Sequence, residues 1–117
     1  MPPTDRHEIL TIFGHVRPGW SHIVERLDRR LSALDDHYDL IQVKQKLGGL
    51  RYHIQTEHRE LLDEMEIAVL DAERHAEQTC ELCGDEGVLR ISARGWLRTL
   101  CPNCARAENQ GYIVAPR

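Results

Sequence analysis

Four cysteines carry the most specific chemistry in this sequence. Cys80-Glu81-Leu82-Cys83-Gly84 and Cys101-Pro102-Asn103-Cys104 are two C-x2-C pairs separated by the 17 residues 84–100. Two residues between thiolates let one tight turn aim both sulfurs at a single ion, and a four-sulfur shell leaves no position open for water. The pattern predicts one structural Zn2+ held by Cys80, Cys83, Cys101 and Cys104, with iron in the same site as the neighbouring alternative. Two disulfides or a redox pair fit less well: a thioredoxin-like thiol pair wants one C-x-x-C on a βαβ unit, and cysteine pairs in a reducing compartment more often mean metal.

The segment between the pairs, Val88-Leu89-Arg90-Ile91 … Trp96-Leu97-Arg98-Thr99-Leu100, reads as a β-hairpin turning near Ala93-Arg94-Gly95. Pro102 suits the first turn of a helix that Ala105–Gln110 can continue and Gly111 would end. Knuckle, hairpin and ligands on a helix start make a treble clef; a plain zinc ribbon with two equivalent knuckles is the near alternative.

The rest of the chain offers little catalytic chemistry. H-E-x-x-H is absent, and no histidine lies between residues 76 and 117, where a treble-clef nuclease of the HNH type needs one. Ser21, Ser32 and Ser92 sit in no nucleophile-elbow context. Lys46-Leu47-Gly48-Gly49 lacks the spacing and following helix of a P-loop. Asp71 and His75 are one helical turn apart, but four cysteines already fill a zinc shell, so His75 reads as a surface residue or as one that supports a ligand from behind. The expectation is a protein that is not an enzyme.

The elements that must position the finger follow from periodicity. A short helix starting at Thr4 or Asp5, with Glu8 placed as in a capping box, would turn Ile9, Leu10, Ile12 and Phe13 toward a core, and Gly14–Gly19 breaks it. A second helix runs from Gly19 or Trp20 to Asp35, with Trp20, Ile23, Val24, Leu27, Leu31 and Leu34 on one face and Glu25, Arg26, Asp28 and Arg29 opposite. A hairpin over residues 40–56, turning at Gly48-Gly49, would pair Leu47 with Leu50, Gln45 with Tyr52, Val43 with Ile54 and Ile41 with Thr56. Its other face would pair Lys46 with Arg51, Lys44 with His53 and Gln42 with Gln55. A third helix over 57–78 buries Leu61, Leu62, Met65, Ala68, Val69, Ala72 and Ala76, and leads without Pro or Gly into Cys80. The fold class is therefore α+β: an α+β domain over 1–78 (helix, helix, β-hairpin, helix) with the helices packed on a short antiparallel hairpin, followed by a four-cysteine zinc finger over 79–117.

Composition narrows the partners. With 15 basic and 19 acidic side chains, the net charge of −4 argues against a nucleic-acid coat or a polybasic membrane binder. The longest apolar run is four residues, Ile67–Leu70, so neither a signal peptide nor a membrane span is expected, and the expected location is cytoplasmic. No small-molecule substrate is implied. Lys44, Lys46 and Arg51 on one hairpin face set like charges opposite each other, which an anionic partner or a nearby carboxylate such as Glu57 would relieve. Arg94, Trp96 and Arg98, with Arg90, form a second candidate patch, in which Trp96 either stacks on a partner or covers the small finger core. Trp20 is expected in the main core.

The finger resembles that of the DksA/TraR family of transcription regulators in Cys80-Glu81-x-Cys83-Gly84, the 17-residue spacer, Ala93-Arg94 and Leu100-Cys101-x-x-Cys104. The resemblance implies the same four ligands. That family inserts a long coiled coil with an Asp-x-x-Asp-x-Ala tip into RNA polymerase. Here Asp36-x-x-Asp39 runs into Leu40-Ile41 and a hairpin stands where the coiled coil would be, so that mechanism does not carry over. The whole chain also looks like a group of small bacterial and phage zinc-finger proteins, through Gly19-Trp20, Val43–Tyr52, the Cys80 knuckle and Gly95-Trp96-x-x-Thr99-Leu100-Cys101. This implies a phage or mobile-element origin and a role in binding host machinery. The leading expectation is a protein-binding regulator or inhibitor. The alternative is a nucleic-acid-binding or polymerase-associated transcription factor.

Overall fold

The computed structural model describes residues 5–116. Helix α1 (Arg6–Val16) leads through a 3-10 turn (Pro18–Trp20) into α2 (Ser21–Leu34); β1 (Asp39–Lys46) and β2 (Gly49–Gln55) form a hairpin; a second 3-10 turn (Arg59–Leu61) opens α3 (Leu62–Ala76). The finger then contributes β3 (Val88–Ile91), β4 (Leu97–Leu100), α4 (Pro102–Glu108) and β5 (Ile113–Val114). The class is α+β, with a two-stranded sheet β1-β2 and a three-stranded sheet ordered β4-β3-β5.

α1 starts where Asp5 caps it, Oδ1 accepting the His7 N–H at 2.9 Å; the alternative start at Thr4 lies outside the described residues. The helix does not break at Gly14 but continues to Val16, and α2 is entered through Pro18, whose fixed φ suits a first turn. α1 packs on β1 and α3 on β2, with α2 against both helices, around Leu10, Phe13, Trp20, Val24, Leu31, Leu50 and Met65. Trp20 is fully buried, as its periodicity requires. Ile12 is not: it stands 62% exposed on the outer side of α1.

The hairpin register differs from the one expected. The turn is Leu47-Gly48, with φ of 53° and 84°, so Lys46 pairs with Gly49, Gln45 with Leu50, Val43 with Tyr52 and Lys44 with Arg51. Two positive φ values make a turn of the I′ kind, whose twist matches the strands, and Gly48 sits tight against the finger, where a Cβ would lie 2.4 Å from Leu89 Cδ1. A shift of two residues keeps the same faces, so Val43, Tyr52 and Ile54 still point inward. Leu47, expected to face Leu50, is instead exposed at the tip. An irregularity between Leu40 and Gln42 also changes the entry to β1: Leu40 is buried and Ile41 is turned outward.

Asp28, expected on the solvated face of α2, is buried. It accepts the Tyr38 hydroxyl at 2.6 Å and pairs with Arg6 at 2.8 Å, and Tyr38 in turn contacts the Tyr52 hydroxyl at 2.6 Å. A carboxylate left alone there would be destabilising; the arginine and hydroxyl satisfy it. Burial pushes the Tyr38 and Tyr52 hydroxyls well above the ordinary tyrosine range, so both remain protonated donors.

The Cα radius of gyration is 15.2 Å, against about 13 Å for a compact chain of this length. The excess reflects a finger set at one end of the helical layer.

Candidate metal centre

α3 ends at Ala76, and Thr79 closes the last turn by donating its hydroxyl to the His75 carbonyl at 2.8 Å. The chain then folds back on itself: the Cys80 N–H donates to the Asp85 carbonyl at 2.7 Å and the Gly84 N–H to the Cys80 carbonyl at 3.0 Å. Gly84 has φ +84°, the left-handed conformation such a turn demands. This knuckle aims Cys80 inward and leaves Cys83 exposed. The second pair comes from the β4–α4 junction. Cys101 is the N-cap of α4, its sulfur accepting the Cys104 N–H at 3.3 Å, and Pro102 occupies the first turn. α4 ends at Asn109 in the left-handed region, two residues before the Gly111 stop expected from sequence.

The four sulfurs lie within 4.8 Å of one another, with Cys83 and Cys101 at 3.6 Å, and all four cysteines are free thiols. Four sulfurs about 2.3 Å from one ion in a tetrahedron stand about 3.8 Å apart, so the cluster fits a single metal ion. One backbone donor favours a thiolate: the Cys104 N–H holds the Cys101 thiol down to about 7, whereas burial pushes Cys104 up, a shift that a bound cation would reverse.

Glu81, between the first two ligands, organises the surroundings and was missed as a functional residue in the sequence. Its side chain is fully buried. Oε1 accepts Arg98 Nε at 2.9 Å and lies 3.1 Å from Arg17 Nε, while Oε2 accepts Gln45 Nε2 and the Thr99 N–H, both at 3.3 Å. Its own N–H donates to the Thr99 carbonyl at 3.0 Å and its carbonyl accepts the Gly19 N–H at 2.9 Å. One residue thus touches the α1–α2 junction, β1 and β4. Its place inside the C-x2-C was the only available signal.

Three further contacts join the finger to the helical layer. The Trp20 indole N–H donates to the Thr79 carbonyl at 2.8 Å, and the Thr99 hydroxyl to the Gly48 carbonyl at 2.7 Å. At Gly19, a Cβ would lie 2.0 Å from the Cys80 carbonyl oxygen, so the residue before Trp20 rests directly on the knuckle backbone.

The candidate partner-binding residues divide. Lys44, Lys46 and Arg51 are exposed on the bare face of the first hairpin. The Lys44–Arg51 opposition replaces the expected Lys46–Arg51 and Lys44–His53 pairs. Arg94 and Trp96 are exposed in the β3–β4 turn, where Ser92 Oγ accepts the Trp96 N–H at 3.0 Å. Trp96 is 67% exposed and does not cover the finger core. Arg98 is only partly exposed and is spent on Glu81 and Glu108, which removes it from an open basic patch. His75 lies on the surface, its ring 6.3 Å from that of His22. No helix among the described residues is long and apolar enough to cross a membrane. No family model, curated protein or solved structure matches the chain.

Proposed function

We propose that this chain is a non-enzymatic zinc-finger protein that works as a small protein-binding regulator or inhibitor. Zn2+ is the ion that a four-thiolate tetrahedral site of this spacing prefers, and the order knuckle, β3–β4 hairpin, α4 supports a treble clef. Zinc there has a structural role: four protein ligands leave no position for a substrate. The resemblance to small bacterial and phage proteins favours host machinery in the cytoplasm as the target.

The observation that carries the protein-binding reading is Trp96, two-thirds exposed on a tight turn whose Trp96 N–H is bonded to Ser92 Oγ. A large aromatic fixed in solvent is the kind of anchor that interfaces bury. Affinity purification with the intact chain and with Trp96→Ala tests it. A partner captured by the first and lost from the second supports the reading; equal capture by both refutes it.

A nucleic-acid-binding or polymerase-associated role is the second reading, favoured by Lys44, Lys46 and Arg51 gathered on one exposed face. Binding to a DNA or RNA duplex that weakens steeply with salt and disappears when all three become Glu would support it.

A further inference from the structure

The outer side of α1 and the outer edge of β1 form a surface that the helical layer does not use. Ile12 and Val16, one helical turn apart, are 62% and 53% exposed. Between α1 and β1 runs a groove of about 440 Å3, with Ile9, Phe13 and Val43 in its lining. α1 therefore carries two apolar faces, one packed on the core through Leu10 and Phe13 and one open to solvent.

The strand beside this groove is an open edge. Among the described residues the first sheet contains only β1 and β2. Lys46 and Gly49 flank a two-residue turn and form a hydrogen-bonded pair, as do Lys44 and Arg51 two residues on. The N–H and C=O groups of Val43 and Gln45 then point away from β2. An eight-residue strand with such an edge is a template for another strand.

Charge indicates which strand. Asp39 begins β1, and Lys44 and Lys46 end it, all three on the face away from the helices. A strand acidic at one end and basic at the other is complementary to itself in the antiparallel sense. Pairing centred near Gln42 brings Asp39, on the outer face, beside Lys44 and Lys46 on the same face of a second copy. It supplies a carboxylate to the like-charged Lys44–Arg51 pair. The two-fold axis relating such strands stands perpendicular to the sheet, so both α1 helices fall on the same side, with the Ile12/Val16 faces turned toward each other.

We propose that two copies of this chain associate through β1, forming a four-stranded antiparallel sheet with the outer faces of the two α1 helices packed across the axis. The surface is distinct from Trp96, so each copy keeps its finger tip open.

Sedimentation equilibrium of the metal-loaded full chain tests this at concentrations up to about 100 μM, where a micromolar interface is filled. The expected mass is twice the 13.5 kDa of one chain. Ile12→Glu with Val16→Glu should raise the dimer Kd about tenfold or more, since both side chains are exposed in the single copy and need not disturb its fold. Circular dichroism and metal content check that they do not. Asp39→Lys should also weaken the dimer, and mixing it with Lys44→Asp/Lys46→Asp should restore a heterodimer. A monomer throughout the range, or a dimer unmoved by the α1 and Asp39 variants, overturns the proposal. Neither result bears on capture of a partner by Trp96.

Discussion

Glu81 Oε1 accepts Arg98 Nε at 2.9 Å although the Glu81 side chain has no exposure. A carboxylate so placed is stabilising only while its cations stay with it; removing one member of a buried pair typically costs about 3–5 kcal/mol. Arg98 also reaches Glu108 on α4, so the pair links knuckle, β4 and helix. Glu81→Gln keeps the shape and removes the charge, leaving Arg17 and Arg98 facing an amide. It should lower the unfolding free energy of the metal-loaded protein by about 2 kcal/mol or more. Denaturant titrations with an Arg98→Met partner variant, read as a double-mutant cycle, check this. A coupling energy near zero would show that Glu81 does not hold the finger through Arg98.

Gly19→Ala reverses an ordinary expectation. Where space allows, Gly→Ala stabilises by about 0.4–1 kcal/mol by restricting the unfolded chain. Here the added methyl meets the Cys80 carbonyl oxygen at 2.0 Å and the Gly84 nitrogen at 2.7 Å, both backbone atoms. Either the α1–α2 junction lifts from the knuckle or the knuckle opens. The variant should lose about 3 kcal/mol or more, in the range of severe single substitutions, and bind its metal more weakly. Thermal melts and competition with a zinc indicator measure the two effects. A variant as stable as the parent would show that the contact is loose.

Much of this arrangement follows from the sequence, and the failures have physical causes. Two C-x2-C pairs and a proline after Cys101 specify ligands and helix start locally, and the structure brings the four cysteines together. The faces of β1 and β2 follow from alternation, which a two-residue shift preserves; the register does not, because it depends on Gly48 docking against Leu89 and Thr99 of a distant hairpin. Asp28 reads as solvated from its helical phase, and only Arg6 and Tyr38, brought in from other elements, make its burial tolerable. Of the two readings of Trp96, the core cover follows from the small size of the finger. Leu100, Cys101 and Ala105 fill that core without it.

Metal removal should reach beyond the finger. Structural zinc contributes about 10–16 kcal/mol of apparent binding free energy, comparable to the entire stability of a small domain. Without it the knuckle loses its closure, and with it go the Gly19 N–H to Glu81, the Trp20 indole to Thr79 and the Thr99 hydroxyl to Gly48. Hydrogen exchange in a strong chelator should show Gly19, Glu81 and Thr99 amides deprotected. The amides of α2 and α3, packed on each other through Leu27, Leu31 and Ala68, should keep more of their protection. Retained protection at Gly19 after complete metal loss would separate the two halves energetically and contradict the contacts described.

Trp96 and Trp20 give the proposed binding surface its own optical assay. Trp20 is fully buried with its indole N–H bonded, and Trp96 is 67% exposed. Trp96→Ala should therefore remove the red-shifted, acrylamide-quenchable part of the fluorescence and leave the shielded part. It should change stability by no more than about 0.5 kcal/mol, as expected of an exposed position whose backbone N–H keeps its bond to Ser92. Trp20→Phe, by contrast, leaves the Thr79 carbonyl without its buried donor and removes packed volume, so it should cost about 2 kcal/mol. If Trp96 anchors a partner, its truncation weakens binding by about 2 kcal/mol, roughly thirtyfold, while the melt stays put. Complex formation in that case shifts the emission of the Trp96 component to the blue. A complex that forms without changing Trp96 emission or quenching would place the interface elsewhere.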